Sequence, residues 1–489
     1  MIDDPPEEDV FSILVATDTH LGYEVDHPVR GNDSFVTFEE ILHIGRENDV
    51  DLILLGGDLF HLTKPSAETL HRCMSLLRQY CMGDRPVSFE IVSDQEKNFE
   101  NTTQKVVNYE DPNYNVSIPV FSIHGNHDDP TGQSNTSALD ILSCAGLVNY
   151  FGKCVDVTDV PINPLLLRKG KSLLSIYGLG HIVDKRLCRL FEAGKVNFYQ
   201  PEEQHDDWFN ILVIHQNRAA RGVKGYIDES ALPGMLDLII WGHEHDCRVE
   251  PEFNATKNFH VMQPGSSVAT SLAEGESLPK HVAIVKIYKK QFECTPIPLE
   301  TVRPFVFRDA NVSEVLMENP KDLKSLTEKI EEGATKLVQE MIKEALAKKT
   351  GHPKQPALPL IRLRLFFEDE GDMINIVRFN QKFEGSVANP TDLLLMKKGI
   401  ADKKVKRDVL AREVLADILN GEQENWDVKI EDYVQKYFNE QEDNGNDLFR
   451  LNVLSVTGLN AGLSRMVDLQ DNNAIDFIVK YVFHCPRIS

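Results

Sequence analysis

Five apolar runs in this 489-residue chain end in residues able to hold a metal ion. ILVAT leads into Asp18-Thr-His20 and LILLGG into Asp58. VFSI leads into His124-Gly-Asn126-His127-Asp128, ILVI into His215, and LIIWG into His243-Glu-His245. Carboxylate and carboxamide oxygens mixed with imidazole nitrogens suit manganese, iron or zinc and are poor for an all-oxygen calcium site. Asp18, His20, Asp58, Asn126, His215, His243 and His245 are more donors than one ion takes while leaving room for water and substrate. Two ions roughly 3.5–4 Å apart, bridged by one carboxylate, account for them better. Such a pair clamps a phosphate, activates a water and stabilises the leaving oxygen. Singly, each piece has a plainer explanation: loop polarity for Asp-x-His, a common turn for Gly-Gly-Asp, a satisfied core histidine for His215. Their recurrence after five apolar runs makes them one site.

The runs themselves have the character of buried strands. Apolar, β-branched stretches fall at 11–17, 51–57, 118–124, 173–178, 209–215, 236–241, 259–262 and 282–288, with helical patterns at 35–48, 66–81 and 137–149. Continuous apolar strands separated by helices predict an α/β layered domain with both sheet faces covered. The later strands follow one another without helices, so a mixed two-sheet sandwich is expected. In open α/β sheets ligands bind beyond the carboxyl ends of strands, which brings distant residues to one edge.

Around this core the chain divides further. An acidic tail occupies 1–10, the main domain 11–300, a polar insertion 82–117, a small α+β unit 301–400, and a basic linker with helices 401–489. The small unit is drawn from a charged helical stretch at 323–348 and a strand of period two at 359–367 (PLIRLRLFF). Further helices are expected at 408–419 and 428–438. Lys397, Lys398, Lys403, Lys404, Lys406 and Arg407 form the strongest local basic cluster, either a solvated face or a contact to DNA phosphate. The net charge of −24 argues against a generic polyanion binder. It does not exclude a nucleic-acid enzyme, because bound cations reverse the sign of a carboxylate-rich site. Scattered cysteines without a CxxC pair, and an N-terminus without signal-peptide character, point to a reducing compartment.

The order Asp-x-His, Gly-Asp, Gly-Asn-His-Asp, His, Gly-His-x-His resembles the calcineurin-like metallophosphoesterase superfamily. The longer motifs ILVATDTHLGY, LILLGGDLFH, IPVFSIHGNHDDPTG, FNILVIHQNR, LIIWGHEHDC and QPGSSVATSL are similar to the eukaryotic Mre-eleven (meiotic recombination eleven) nuclease family of double-strand-break repair. That resemblance implies a β-sandwich flanked by helices, an α+β capping domain and C-terminal helices. It implies two Mn²⁺ ions, one at Asp18, His20, Asp58 and His245 and the other at Asp58, Asn126, His215 and His243. His127 would face the scissile phosphate, and His61 would contact it. The activity implied is exonuclease and endonuclease processing of DNA ends, in the nucleus and in meiosis. Phosphatases of the superfamily place an Arg shortly after the bridging Asp; here Leu59-Phe60-His61-Leu62 follows Asp58. The implied partners are a second copy of the chain, a coiled-coil ABC-type ATPase and a nibrin-type subunit engaged by 82–117. For the homodimer, the stripe Leu70, Cys73, Met74 and Leu77 has the spacing of an amphipathic helix; the resemblance implies that it pairs with the 137–149 helix.

Overall fold

The computed structural model describes residues 5–201, 203, 206–219, 224–316, 325–368 and 370–399. Alternation along the strands builds four layers. In strand Phe11–Ala16, Phe11, Ile13 and Val15 enter one apolar cluster while Leu14 and Ala16 enter another. Strand Leu52–Leu55 splits the same way, Leu52 and Leu54 against Ile53 and Leu55. With no face left for water, these strands read as unbroken apolar runs.

The six-stranded sheet runs Gln291–Pro298, His281–Tyr288, Phe11–Ala16, Leu52–Leu55, Val120–Ser122, Asn149–Tyr150. The seven-stranded sheet runs Arg248–Asn254, Phe259–Gln263, Leu238–Gly242, Trp208–His215, Ser172–Leu179, Leu165–Lys169, Glu90–Ile91. Between them lie Ile13, Phe121, Leu174, Ile176, Phe209, Val213 and Ile240. Helices Asp33–Glu47 and Ala67–Cys81 cover the outer face of the first sheet. Helix Asp184–Glu192 covers the outer face of the second through Leu187 and Leu190, against Tyr177, Leu212 and Trp241. The expected mixed sandwich is the one found.

The parallel three-stranded sheet Phe305–Asn311, Leu360–Phe367, Leu394–Lys398 has its own core, with Ile361, Leu363 and Leu365 packed on Ile330, Val338 and Met341 of helix Leu326–Ala347. Ser325 caps that helix reciprocally with Glu328, closing two backbone groups that would otherwise lack partners. Arg303 pins this unit to the sandwich. Its Nε and one terminal nitrogen lie 2.6 and 2.7 Å from the Asp33 carboxylate, and it also donates to the carbonyls of Val29 and Leu358.

Two expectations change, and the insertion gains a place in the fold. The 82–117 insertion is packed: Glu90–Ile91 adds the edge strand of the larger sheet, and Phe89, Phe99 and Val107 are buried in the inter-sheet core. The 137–149 helix shortens to Ala138–Cys144, because the chain then turns into strand Asn149–Tyr150. Cys73 and Leu77 are wholly buried in the chain's own core and have no surface to offer a second copy, so of the four-residue stripe only Leu70 and Met74 remain partly exposed.

Candidate metal centre

Both sheets deliver donors to one edge. Strands Phe11–Ala16, Leu52–Leu55 and Val120–Ser122 are mutually parallel, so Asp18, Asp58 and Asn126 follow carboxyl ends lying side by side. His215 ends strand Trp208–His215, and His243 and His245 follow its parallel neighbour Leu238–Gly242. The loops reach inward at a conformational cost. Asp18, His20, Asp58 and His243 have φ of 52°, 46°, 50° and 77°, a left-handed backbone uncommon outside glycine and concentrated at functional sites. The glycine at 125 is also forced: a Cβ there would sit 2.1 Å from Asp58 Oδ1.

All seven candidate ligands converge. His20 Nε2 is 3.8 Å from both Asp18 Oδ1 and Asp58 Oδ2, and 3.2 Å from His245 Nε2. His215 Nε2 is 3.3 Å from Asp58 Oδ2 and 3.2 Å from Asn126 Oδ1; His243 Nδ1 is 2.8 Å from the same amide oxygen. Three metal-competent groupings result among the described residues, Asp18 with His20 and His245, Asp58 with His215 and His243, and His20 with His61 and His127.

The chemistry of the inward-facing atoms fits a cation. Asp18 Oδ1 and Asp58 Oδ2 are buried without a hydrogen-bond partner. His215 and His245 engage the Gly56 carbonyl and Glu276 through Nδ1, at 2.8 Å each, which leaves Nε2 lone pairs facing other lone pairs. Outer partners of this kind set the tautomer of a ligating imidazole. Unsatisfied acceptors converging at 3–4 Å repel one another unless positive charge lies among them.

Protons supply that charge in the metal-free protein. Burial alone would lower the His215 pKa, but Asp58 and Asp18 prevail and raise it to about 9. His245 is likewise raised to about 10 against burial, by Asp18 and Glu276. Burial also disfavours ionised Asp18, yet His215 and His245 hold it down at about 2. His20 moves the other way, to about 3, because burial dominates. Cation binding at neutral pH must therefore displace protons from His215 and His245. We expect about two protons released per chain at pH 7, declining towards zero as pH rises past 9–10, where both rings are already neutral. Mn²⁺ calorimetry in buffers of differing ionisation enthalpy measures this, and release independent of pH would contradict it.

His127 and His61 stand at the flank. The His127 N–H donates to Asp58 Oδ1 at 2.8 Å, and its Nδ1 donates to the His61 carbonyl at 2.7 Å. Its ring stacks on His61 at 4.8 Å and meets His20 edge-on at 4.9 Å. His61 Nδ1 lies 3.4 Å from His20 Nδ1. Lys397 and Lys398 are exposed at the end of the third strand of the small sheet; Lys403, Lys404, Lys406 and Arg407 lie outside the described residues.

Two supporting carboxylates escaped sequence reasoning. Glu276, 3% exposed, accepts from His245, Ser266 and Lys280. It follows no strand, so nothing marked it. Asp128 lies inside the Gly-Asn-His-Asp motif but was given no role. It accepts from the N–H groups of Gly125, Leu59 and Phe60, tying together the loops that carry Asp58 and Asn126. Burial, then the charge of Asp58, pushes its pKa up to about 7.

The layered sheets and the strand-end donors define a calcineurin-like phosphoesterase, and residues 11–247 match the model of that family. Residues 292–466 match a second family, described as the Mre11 DNA-binding presumed domain. The chain is 45% identical to the double-strand break repair protein MRE11 of Mus musculus, over 97% of this chain and 66% of that protein. Against the MRE11 of Gallus gallus the identity is 43%, over 97% of this chain and 67% of the relative. For Arabidopsis thaliana it is 47%, over 81% and 55%. The chain belongs to the Mre11 double-strand break repair family. It spans about two thirds of the length of its mouse relative.

Proposed function

We propose that the chain is a manganese-dependent phosphodiesterase that cuts DNA at double-strand ends, as exonuclease and endonuclease. The observation carrying this reading is the pair of orphaned carboxylate oxygens, Asp18 Oδ1 and Asp58 Oδ2, facing the ring nitrogens of His245 and His215. Asp18, His20, Asp58 and His245 would hold one Mn²⁺, and Asp58, Asn126, His215 and His243 the other, with Asp58 bridging. Two such ions supply charge neutralisation at the phosphate and an activated water.

The protein's own groups act around that step. Because the His127 Nδ1–H donates a hydrogen bond to the His61 carbonyl, Nε2 can donate only when the ring is an imidazolium. In that form it orients the phosphate and protonates the leaving oxygen. His61 stacks against it and meets the phosphate from the same side. Mn²⁺-dependent release from 5′-labelled duplex DNA, with a phosphopeptide left intact, is the expected result; the reverse preference would overturn the proposal. His127→Asn should lose about 10²–10⁴-fold in cleavage, the usual contribution of general acid catalysis, and keep Mn²⁺ binding. Undiminished cutting would remove His127 from the mechanism.

The remaining roles belong to the same proposal. Leu70 and Met74, on the exposed side of helix Ala67–Cys81, would join Ile141, 46% exposed, in a homodimer contact. Lys397 and Lys398 would meet DNA phosphate. The packed 82–117 segment would engage a nibrin-type subunit, and 401–489 a coiled-coil ABC-type ATPase, within the nucleus.

A further inference from the structure

We propose that Asp184 and Asn217 form a positioning relay that fixes which nitrogen of His243 faces the metal centre, a role resting on the metal reading above. Asp184 opens the helix after strand Ser172–Leu179. Its Oδ2 accepts from Asn217 Nδ2 at 2.6 Å, and its Oδ1 accepts from the Asn217 N–H at 3.2 Å and from Gln216 Nε2 at 2.8 Å. An ionised carboxylate only accepts. Asn217 must therefore turn its NH₂ towards Asp184, leaving its Oδ1 3.1 Å from His243 Nε2.

That oxygen is also only an acceptor, so it draws the His243 proton to Nε2, against Asn126 Oδ1 beside Nδ1, the oxygen that the metal reading assigns to an ion. Nδ1 then carries the lone pair, 2.8 Å from Asn126 Oδ1 and among the inward-facing donors. His215 and His245 are set the other way round, with Nδ1 held by an outer acceptor and Nε2 turned inward. His243 thus needs a differently placed partner, and the relay provides one. Gln216 makes it rigid by bonding both the N–H and the carbonyl of Ile182, at 2.9 and 2.6 Å, while Trp241 Nε1 donates to the Gln216 carbonyl at 2.7 Å.

The polarity of the relay can be reversed and restored. In Asp184→Asn the new amide offers an NH₂ to Asn217, which turns its oxygen to accept it and presents its own NH₂ to His243. The His243 proton then moves to Nδ1, the atom needed for the ion. In the double variant Asp184→Asn/Asn217→Asp, the carboxylate beside His243 accepts from Nε2 again, and the original direction returns.

The test is Mn²⁺ titration of the full chain by calorimetry, with ¹⁵N-histidine NMR of the metal-free protein as a readout independent of activity. Wild-type protein should bind two ions and show His243 as the Nε2–H tautomer. Asp184→Asn should weaken one ion by about 10–100-fold, the usual range for loss of an outer-shell partner, leave the other unchanged, and shift His243 to Nδ1–H. The double variant should recover both affinity and tautomer, which a merely structural role for Asp184 would not produce. Asp184→Asn with wild-type affinity and tautomer, or a double variant no better than the single, would overturn the relay while leaving the metal centre standing. Wild-type protein that bound no Mn²⁺ would overturn the metal assignment, and the relay with it.

Discussion

Asp58→Asn is expected to lower DNA cleavage by at least ~10³-fold, about 4 kcal/mol of activation free energy. The substitution preserves shape but removes a carboxylate whose Oδ2 faces both His20 and His215. Asp58 Oδ2 lies 3.8 Å from His20 Nε2 and 3.3 Å from His215 Nε2, while Oδ1 accepts the His127 N–H. An asparagine retains that last bond with its own oxygen and turns an NH₂ towards the rings, where a cation would belong. Both ions should weaken together, unlike the single-ion effect of breaking the Asp184 relay. Circular dichroism should report an intact fold, because the inter-sheet core is untouched. Residual cleavage within about tenfold of wild type would show that Asp58 is not shared.

The largest effect on stability is expected at Arg303. Arg303 and Asp33 are 6% and 8% exposed, and together they join the small sheet to the sandwich. Arg303→Ala strands a buried carboxylate and frees the carbonyls of Val29 and Leu358. A loss of about 3–5 kcal/mol follows from breaking such a pair on one side. Hydrogen exchange should rise first in strand Phe305–Asn311, which begins two residues later. Removing both charges, as in Arg303→Leu/Asp33→Leu, should recover most of the loss, since the desolvation cost disappears with them. A denaturation midpoint unchanged in Arg303→Ala would place the adhesion of the two parts elsewhere.

How far the sequence disclosed this molecule depended on what kind of signal each part leaves. The convergence of the candidate ligands was legible because they follow strands whose apolar character is set by burial on both faces, as at Ile13–Leu14 and Leu212–Val213. Period two in PLIRLRLFF likewise exposed the central strand of the small sheet. Its neighbours Phe305–Asn311 and Leu394–Lys398 went unseen, because arginine, aspartate and lysine interrupt their alternation. The stripe on helix Ala67–Cys81 was visible, but periodicity cannot distinguish an intramolecular partner from an intermolecular one; packing against Leu55 and Val120's cluster assigned Cys73 and Leu77 to the former. Glu276, Asp184 and Asn217 were illegible for a further reason. Their partners are fixed by tertiary approach, and a single polar residue at a helix start or in a turn carries no periodic mark.

One property of the fold reaches beyond the donors themselves. Asp18, Asp58 and Asn126 hang from one sheet while His215, His243 and His245 hang from the other. On the proposed function, the reaction centre works as a vernier between two plates. Any slip of one plate over the other changes distances at the phosphate directly, and a misplacement near 1 Å can cost on the order of 10²-fold in rate. The side chains that prevent slip are the interdigitated ones between the plates, Phe121, Phe209 and Ile240 among them. Trimming such a residue should alter turnover without touching DNA or metal, so that catalytic alignment is distributed through the greasy interior rather than confined to the polar rim.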